Sequence, residues 1–81
     1  MKKEMMINTT QGLHAALASE IVQTATRFDG ELRLIYEDKI VDAKSILSLI
    51  SLAVPSGEHV TVVAEGNDAD KIIKEIERII G

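Results

Sequence analysis

The hydrophobic pattern changes its period several times within 81 residues, and this alternation limits the possible folds more than any other feature. Apolar residues recur every three or four positions from Ala15 to Phe28 and again from Ala69 to Ile80, which predicts two amphipathic helices. Apolar and polar residues alternate from Glu31 to Glu37 and, less regularly, from Glu58 to Glu65, which predicts two strands. A chain with both periods packs helices against a sheet.

Three shorter apolar segments complete the pattern, and each lies next to a turn signal. They are Met5–Ile7 before a polar loop that turns at Gly12, Ile40–Val41 after a two-residue turn at Asp38 and Lys39, and Ile46–Ala53 before Pro55. The first two segments predict short strands. The strand at Ile40–Val41 pairs as a hairpin with the predicted strand from Glu31 to Glu37. The third segment predicts a short helix that stops at the Pro-Ser-Gly sequence.

The resulting order is strand, helix, strand, strand, helix, strand, helix, with Asp68 placed to cap the last helix. This βαββαβα order predicts an α+β fold: an open-faced sandwich of a four-stranded antiparallel sheet with three helices on one face. No linker or repeat interrupts the pattern, so residues 1–81 are expected to form a single domain. Fold alone leaves the function open.

Composition excludes several classes of function. Hydrophobic residues make up 46% of the chain but aromatic residues only 2%, so we expect an aliphatic core and no stacking platforms for single-stranded nucleic acid. The net charge of −4 has the wrong sign for binding phosphate backbones. The absence of cysteine excludes disulfides and thiolate chemistry. No secretory signal or membrane span is recognisable, so a cytoplasmic location without membrane insertion is expected.

His14 is the side chain best placed for chemistry. It lies between the turn at Gly12 and the first residues of the first helix, where unpaired backbone N–H groups form an anion site. A neutral imidazole is a competent nucleophile, and a phosphoryl group on its nitrogen would sit over the N–H groups of Ala16 and Leu17. The alternative is that His14 only caps the helix or packs in the loop. His59, at the start of a strand, is expected to be a solvated surface side chain.

The short helix suggests a second functional region. Ser45 stands directly before its apolar run, which is a preferred position for an N-cap. The apolar residues of this helix exceed what one buried stripe requires, and Leu47 and Ile50 are either part of the core or exposed for docking.

Gly12-Leu13-His14-Ala15 followed by Ala18, together with Asp42-Ala43-Lys44-Ser45-Ile46, resembles the histidine-containing phosphocarrier protein (HPr) family of the phosphoenolpyruvate-dependent sugar phosphotransferase system. The resemblance covers nearly the whole chain. It implies a carrier rather than an enzyme, with His14 accepting a phosphoryl group from enzyme I and passing it to enzyme II components. It also implies that no cofactor is needed, that Ser45 is the regulatory serine, and that Leu47 and Ile50 belong to the docking patch. The resemblance implies a serine kinase/phosphorylase and a transcription regulator as further partners.

Three positions depart from the family pattern. The usual Ala-Arg-Pro-Ala after the histidine is replaced by Ala15-Ala16-Leu17-Ala18, and Glu20 places an acid where the family meets acidic partners. The missing guanidinium removes a contact to phosphate or partner, whereas Leu17 restores an N–H that proline lacks. These departures leave two hypotheses about function open: a phosphocarrier, or a regulatory HPr-like binding protein switched by phosphorylation of Ser45. A third reading, small-molecule sensing, lacks a nameable polar pocket.

Overall fold

A computed structural model describes residues 1–81 and contains four strands and three helices in the predicted order. The strands are β1 (Lys2–Met6), β2 (Gly30–Tyr36), β3 (Lys39–Asp42) and β4 (His59–Gly66). The helices are α1 (Ala15–Thr26), α2 (Ile46–Ser51) and α3 (Ala69–Ile80). None of them has both the length and the apolar character needed to cross a membrane.

The strands form one antiparallel sheet with the order β1-β4-β2-β3, which confirms the predicted fold class. Side chains alternate between its two faces. Residues that face each other across β4 and β2, such as Val62 and Leu34, are buried beneath the helices. On the opposite, open face Arg33 pairs with Glu31 and Glu65.

The core between sheet and helices is aliphatic, as the composition predicts. It contains 21 buried hydrophobic residues, and Phe28 is the one aromatic side chain among them. The large, fully buried members come from every layer of the sandwich: Ile7, Ile21, Leu32, Leu34, Leu49, Leu52, Val60, Val62, Ile76 and Ile80. Thr24 is the one buried polar side chain. Slipping a strand by one residue would expose its whole buried set, so the hydrophobic pattern fixes the register.

Two local predictions were wrong. The hairpin turn lies at Glu37 and Asp38, one residue earlier than expected, because Tyr36 pairs with Lys39 and Glu37 adopts a positive φ of 56°. Asp68 precedes α3 as expected, but its own φ of 62° is left-handed and its side chain makes no capping hydrogen bond. Its carbonyl oxygen instead accepts the first bonds of the helix.

Two helices end earlier than their apolar periodicity predicts. Helix α1 stops at Thr26, although Phe28 is buried in the core, since an apolar side chain can reach the core from the turn that follows a helix. Helix α2 stops at Ser51, and Ala53 then takes a left-handed conformation with a φ of 51°. Residues of this kind commonly follow the last helical turn.

Candidate functional site

His14 is the N-cap residue of α1. Its backbone is extended, and its carbonyl oxygen accepts the bond from the N–H of Ala18 at 2.9 Å. The imidazole makes no capping hydrogen bond, although the side chain at this position normally accepts one from the helix. The alternative in which the side chain only caps the helix is therefore wrong, and the alternative in which the half-buried ring packs in the loop stays open.

The first turn of α1 offers two unpaired donors beside this ring. Ala16 and Leu17 occupy the second and third helical positions, whose N–H groups a capping side chain would normally bind. Neither N–H donates to another backbone carbonyl or to a cap. The first turn also carries no acidic residue that would repel an anion. This end of the helix therefore has free donors and the positive end of the helix dipole.

The orientation of the imidazole is set by the loop. Its Nδ1 lies 3.0 Å from the carbonyl oxygen of Gly12. A carbonyl only accepts hydrogen bonds, so Nδ1 carries a proton in this arrangement and, in the neutral ring, the lone pair is on Nε2.

Gly12 fixes the loop against the segment that follows α2. Its φ is 71°, and a Cβ at this position would lie 2.4 Å from the carbonyl oxygen of Val54. The same carbonyl accepts a hydrogen bond of 2.9 Å from the N–H of Leu13. This close backbone contact brings the loop of His14 to the segment that follows α2, and only glycine provides both the conformation and the space.

Helix α2 carries an exposed apolar surface. Leu47 is 78% exposed, and Ile46 and Ile50 are 38% and 39% exposed, whereas Leu49 and Leu52 are buried. The expectation that this helix has more apolar residues than its buried stripe needs is therefore confirmed. We call Ile46, Leu47 and Ile50 the α2 patch. A role for Leu47 and Ile50 in docking stays a prediction.

Ser45 caps α2. Its backbone is extended, and its Oγ accepts a hydrogen bond of 3.3 Å from the N–H of Ser48. Capping is thus confirmed, and phosphorylation of the same hydroxyl stays a prediction. Because Ile46 and Leu47 follow directly, a charge added to Ser45 would lie at the edge of the α2 patch.

Sequence reasoning missed two polar side chains that support these loops. Lys44 donates from Nζ to the carbonyl oxygens of Phe28 and Gly30, at 3.0 and 2.9 Å, and so ties the loop before α2 to the end of α1. Thr9 donates from Oγ1 to the carbonyl oxygen of Gly12 at 2.5 Å. Lys44 stands in the motif that carries the resemblance, but hydrophobic periodicity does not predict the hydrogen bonds of either side chain, because their partners are backbone carbonyls brought near by the fold.

The other candidates for a functional site are the second histidine and the acidic side chains. His59 is exposed on β4, as expected. No group of three or more histidine and acidic side chains is placed to hold a metal ion.

The fold and the position of the histidine define the class of small phosphocarrier domains. The family model described as "PTS HPr component phosphorylation site" matches residues 1–81, so the chain belongs to the HPr family of the phosphotransferase system. That family consists of carriers rather than enzymes, and enzymes of the phosphotransferase system are their partners.

Solved structures of this family superimpose closely. The phosphocarrier HPr of Bacillus anthracis is 31% identical, with a TM-score of 0.94 over 100% of this chain and 96% of the other. HPr of Thermoanaerobacter tengcongensis is 36% identical, with a TM-score of 0.93 over 99% and 90%. The Bacillus subtilis catabolite repression protein Crh is 38% identical, with a TM-score of 0.79 over 89% and 83%. The structural relatives thus include both HPr and Crh.

Proposed function

We propose that this protein is a cytoplasmic phosphocarrier that accepts a phosphoryl group on His14 from enzyme I, with phosphoenolpyruvate as the primary donor, and passes it to enzyme IIA components during sugar uptake. One observation carries this proposal. In a chain of the HPr family, the N-cap histidine leaves its helix uncapped, and the N–H groups of Ala16 and Leu17 are free beside it.

In the transfer, the unprotonated ring nitrogen of a neutral His14 attacks the phosphorus atom. A nitrogen–phosphorus bond forms, the bond from phosphorus to the donor breaks, and its electron pair leaves with the donor. The other ring nitrogen keeps its proton. The N–H groups of Ala16 and Leu17 and the positive end of α1 stabilise the charge on the phosphoryl oxygens. A proline at position 17 would lack one of these donors.

The α2 patch is the surface that docks the donor and acceptor proteins. Exposed apolar side chains of this size on a small protein are typical of an interaction site. The loop of His14 contacts the segment that follows α2, because the N–H of Leu13 donates to the carbonyl oxygen of Val54, so the histidine loop and α2 are neighbours in the fold.

Intact-mass measurement at neutral pH tests the acceptor role. The protein is incubated with phosphoenolpyruvate and enzyme I, beside His14→Ala and the matched control His59→Ala. We expect one added phosphate in the parent protein and in His59→Ala, none in His14→Ala, and loss of the group in acid. A parent protein that gains no phosphate, while a standard HPr labels fully in parallel, would refute the carrier role.

The docking role is tested by Leu47→Gln. Since the side chain is 78% exposed, the substitution should leave the unfolding temperature unchanged and raise the concentration of carrier needed for half-maximal labelling. Lys39→Gln, on the exposed edge strand β3, is the matched control and should label like the parent. Equal labelling by both variants would remove the α2 patch from the interface.

A second function, regulation through Ser45, is favoured by the similarity to Crh and by the lack of an arginine next to the histidine. In this version a serine kinase/phosphorylase modifies Ser45, the modified protein binds a transcription regulator, and His14 transfers little or no phosphate. A phosphate on the cap would add about −1.5 to −2 charges at a helix N-terminus, where the fold tolerates them. Labelling of Ser45 by such a kinase, without labelling of His14, would establish this function.

A further inference from the structure

The carbonyl oxygen of Gly12 receives more hydrogen bonds than it has lone pairs. The backbone N–H of His14 lies 3.0 Å away, the ring Nδ1 of His14 also lies 3.0 Å away, and the hydroxyl of Thr9 lies 2.5 Å away. A carbonyl oxygen has two lone pairs, so three donors compete for two sites. The Thr9 bond is the shortest, and the bond from the ring is one of the two longer ones.

This competition acts on Nδ1, the ring nitrogen that is bonded to Cγ. In an N-cap aspartate or asparagine, the oxygen that binds the helix is attached to Cγ, and in histidine the atom attached at the same place is Nδ1. A phosphoryl group on Nδ1 would thus reach the N–H groups of Ala16 and Leu17. In the structure Nδ1 lies 3.0 Å from the carbonyl oxygen of Gly12, an arrangement that requires a proton on Nδ1, so this nitrogen must lose its proton and turn before it can attack.

We propose that Thr9 is a positioning residue for His14. By occupying one lone pair of the Gly12 carbonyl oxygen, the Thr9 hydroxyl weakens the hydrogen bond from Nδ1–H of His14 to that oxygen. The ring then exchanges the Nδ1 proton for one on Nε2 through solvent, with no change in charge, and turns Nδ1 toward the phosphoryl donor. This role rests on the proposed transfer to His14, but the tautomer of the ring is measurable without any transfer.

The test compares Thr9→Val, which loses the hydroxyl, with Thr9→Ser, which keeps it. Thr10→Val removes the hydroxyl of the exposed neighbour and serves as matched control. The ¹⁵N chemical shifts of the imidazole report the two neutral tautomers in the unphosphorylated protein. In Thr9→Val the imidazole has one competitor fewer for the Gly12 carbonyl oxygen, so the ratio of the Nδ1–H tautomer to the Nε2–H tautomer should rise by about threefold. Labelling by phosphorylated enzyme I should slow by a similar factor, and Thr9→Ser and Thr10→Val should match the parent.

Each outcome of this test either supports or overturns the proposed role of Thr9. An unchanged tautomer ratio in Thr9→Val, or a shift toward Nε2–H, would overturn the proposal, the latter by showing that Thr9 holds the carbonyl in place for the ring. A changed ratio with unchanged labelling would also overturn it, because the tautomer would then not limit transfer. If the parent protein does not label but the ratio shifts as expected, the carrier function fails while the competition for the carbonyl stands.

Discussion

Replacing Gly12 by alanine would test how closely the loop of His14 depends on the segment after α2. The new Cβ would lie 2.4 Å from the carbonyl oxygen of Val54 and 3.0 Å from the nitrogen of Ser56, so one backbone has to move. Movement weakens the hydrogen bond from Leu13 to Val54, and a buried N–H left without its partner costs about 1 to 3 kcal/mol.

The conformation adds to this cost. A left-handed residue with a Cβ costs about 1 to 2 kcal/mol, and alanine regains about 0.4 to 1 kcal/mol by restricting the unfolded chain. Gly12→Ala should therefore lower the free energy of unfolding by about 3 kcal/mol. An 81-residue domain has roughly 4 to 12 kcal/mol in total, so the variant should still fold.

Gly57→Ala is the matched control. Gly57 also has a positive φ, 86°, but an added Cβ there would meet nothing within 4 Å. Only the cost of the left-handed conformation and the gain from restricting the unfolded chain apply. The free energy of unfolding should therefore fall by about 1 kcal/mol or less.

Urea denaturation followed by far-ultraviolet circular dichroism measures both variants, since the chain has no tryptophan. The difference of about 2 kcal/mol should separate the two midpoints by about 1 to 2 M urea. Gly12→Ala should also label more slowly with enzyme I than Gly57→Ala, because His14 follows the displaced turn. Equal midpoints would refute the argument that the close contact with Val54, rather than the positive φ, makes glycine necessary at position 12.

Substitutions at three further positions test other parts of the account. Ala16→Arg should speed labelling about threefold to tenfold by adding a charge-assisted hydrogen bond at an exposed position. Gln23→Arg, at an exposed position two turns further along α1, is the control. If it speeds labelling equally, the effect comes from general electrostatic attraction of the partner and not from a contact beside His14. Ser45→Ala should lose about 1 kcal/mol of stability, whereas Ser45→Asp keeps a capping oxygen and should unfold like the parent while its partner binding changes. If Ser45→Ala unfolds at the same urea concentration as the parent, the hydroxyl does not act as a cap. Ala53→Gly should raise the free energy of unfolding by about 0.5 kcal/mol and the unfolding temperature by about 2 to 4 °C, because Ala53 is exposed and left-handed; an unchanged temperature would contradict this.

The elements and the buried faces could be predicted because they follow from hydrophobic periods. The stripe of α3 and the alternation of Leu32 and Leu34 in β2 are visible in the sequence and buried in the structure. The wrong predictions concern a turn and a helix start, where the backbone angles of one or two residues determine the local structure. The turn at Glu37 and the left-handed Asp68 use residues that are not glycine, so the sequence carries no mark of a positive φ there.

For the site, position along the chain predicted His14 at the start of α1 and Ser45 at the start of α2, because N-cap positions are marked by local sequence. The hydrogen bonds of Thr9 and the contact of Gly12 with Val54 could not be predicted in this way. Both depend on loops that the tertiary fold brings together, and neither follows a period or a motif.

The most direct test of the central claim is a ¹H–¹⁵N spectrum of the protein before and after phosphorylation by enzyme I and phosphoenolpyruvate. A phosphoryl group on His14 held by the end of α1 should move the amide resonances of Ala16 and Leu17 strongly, as their N–H groups gain a charged acceptor. The amide of Ser48 should stay in place. Phosphorylation that shifts Ser48 and leaves Ala16 and Leu17 unchanged, or a spectrum without change, would contradict the account.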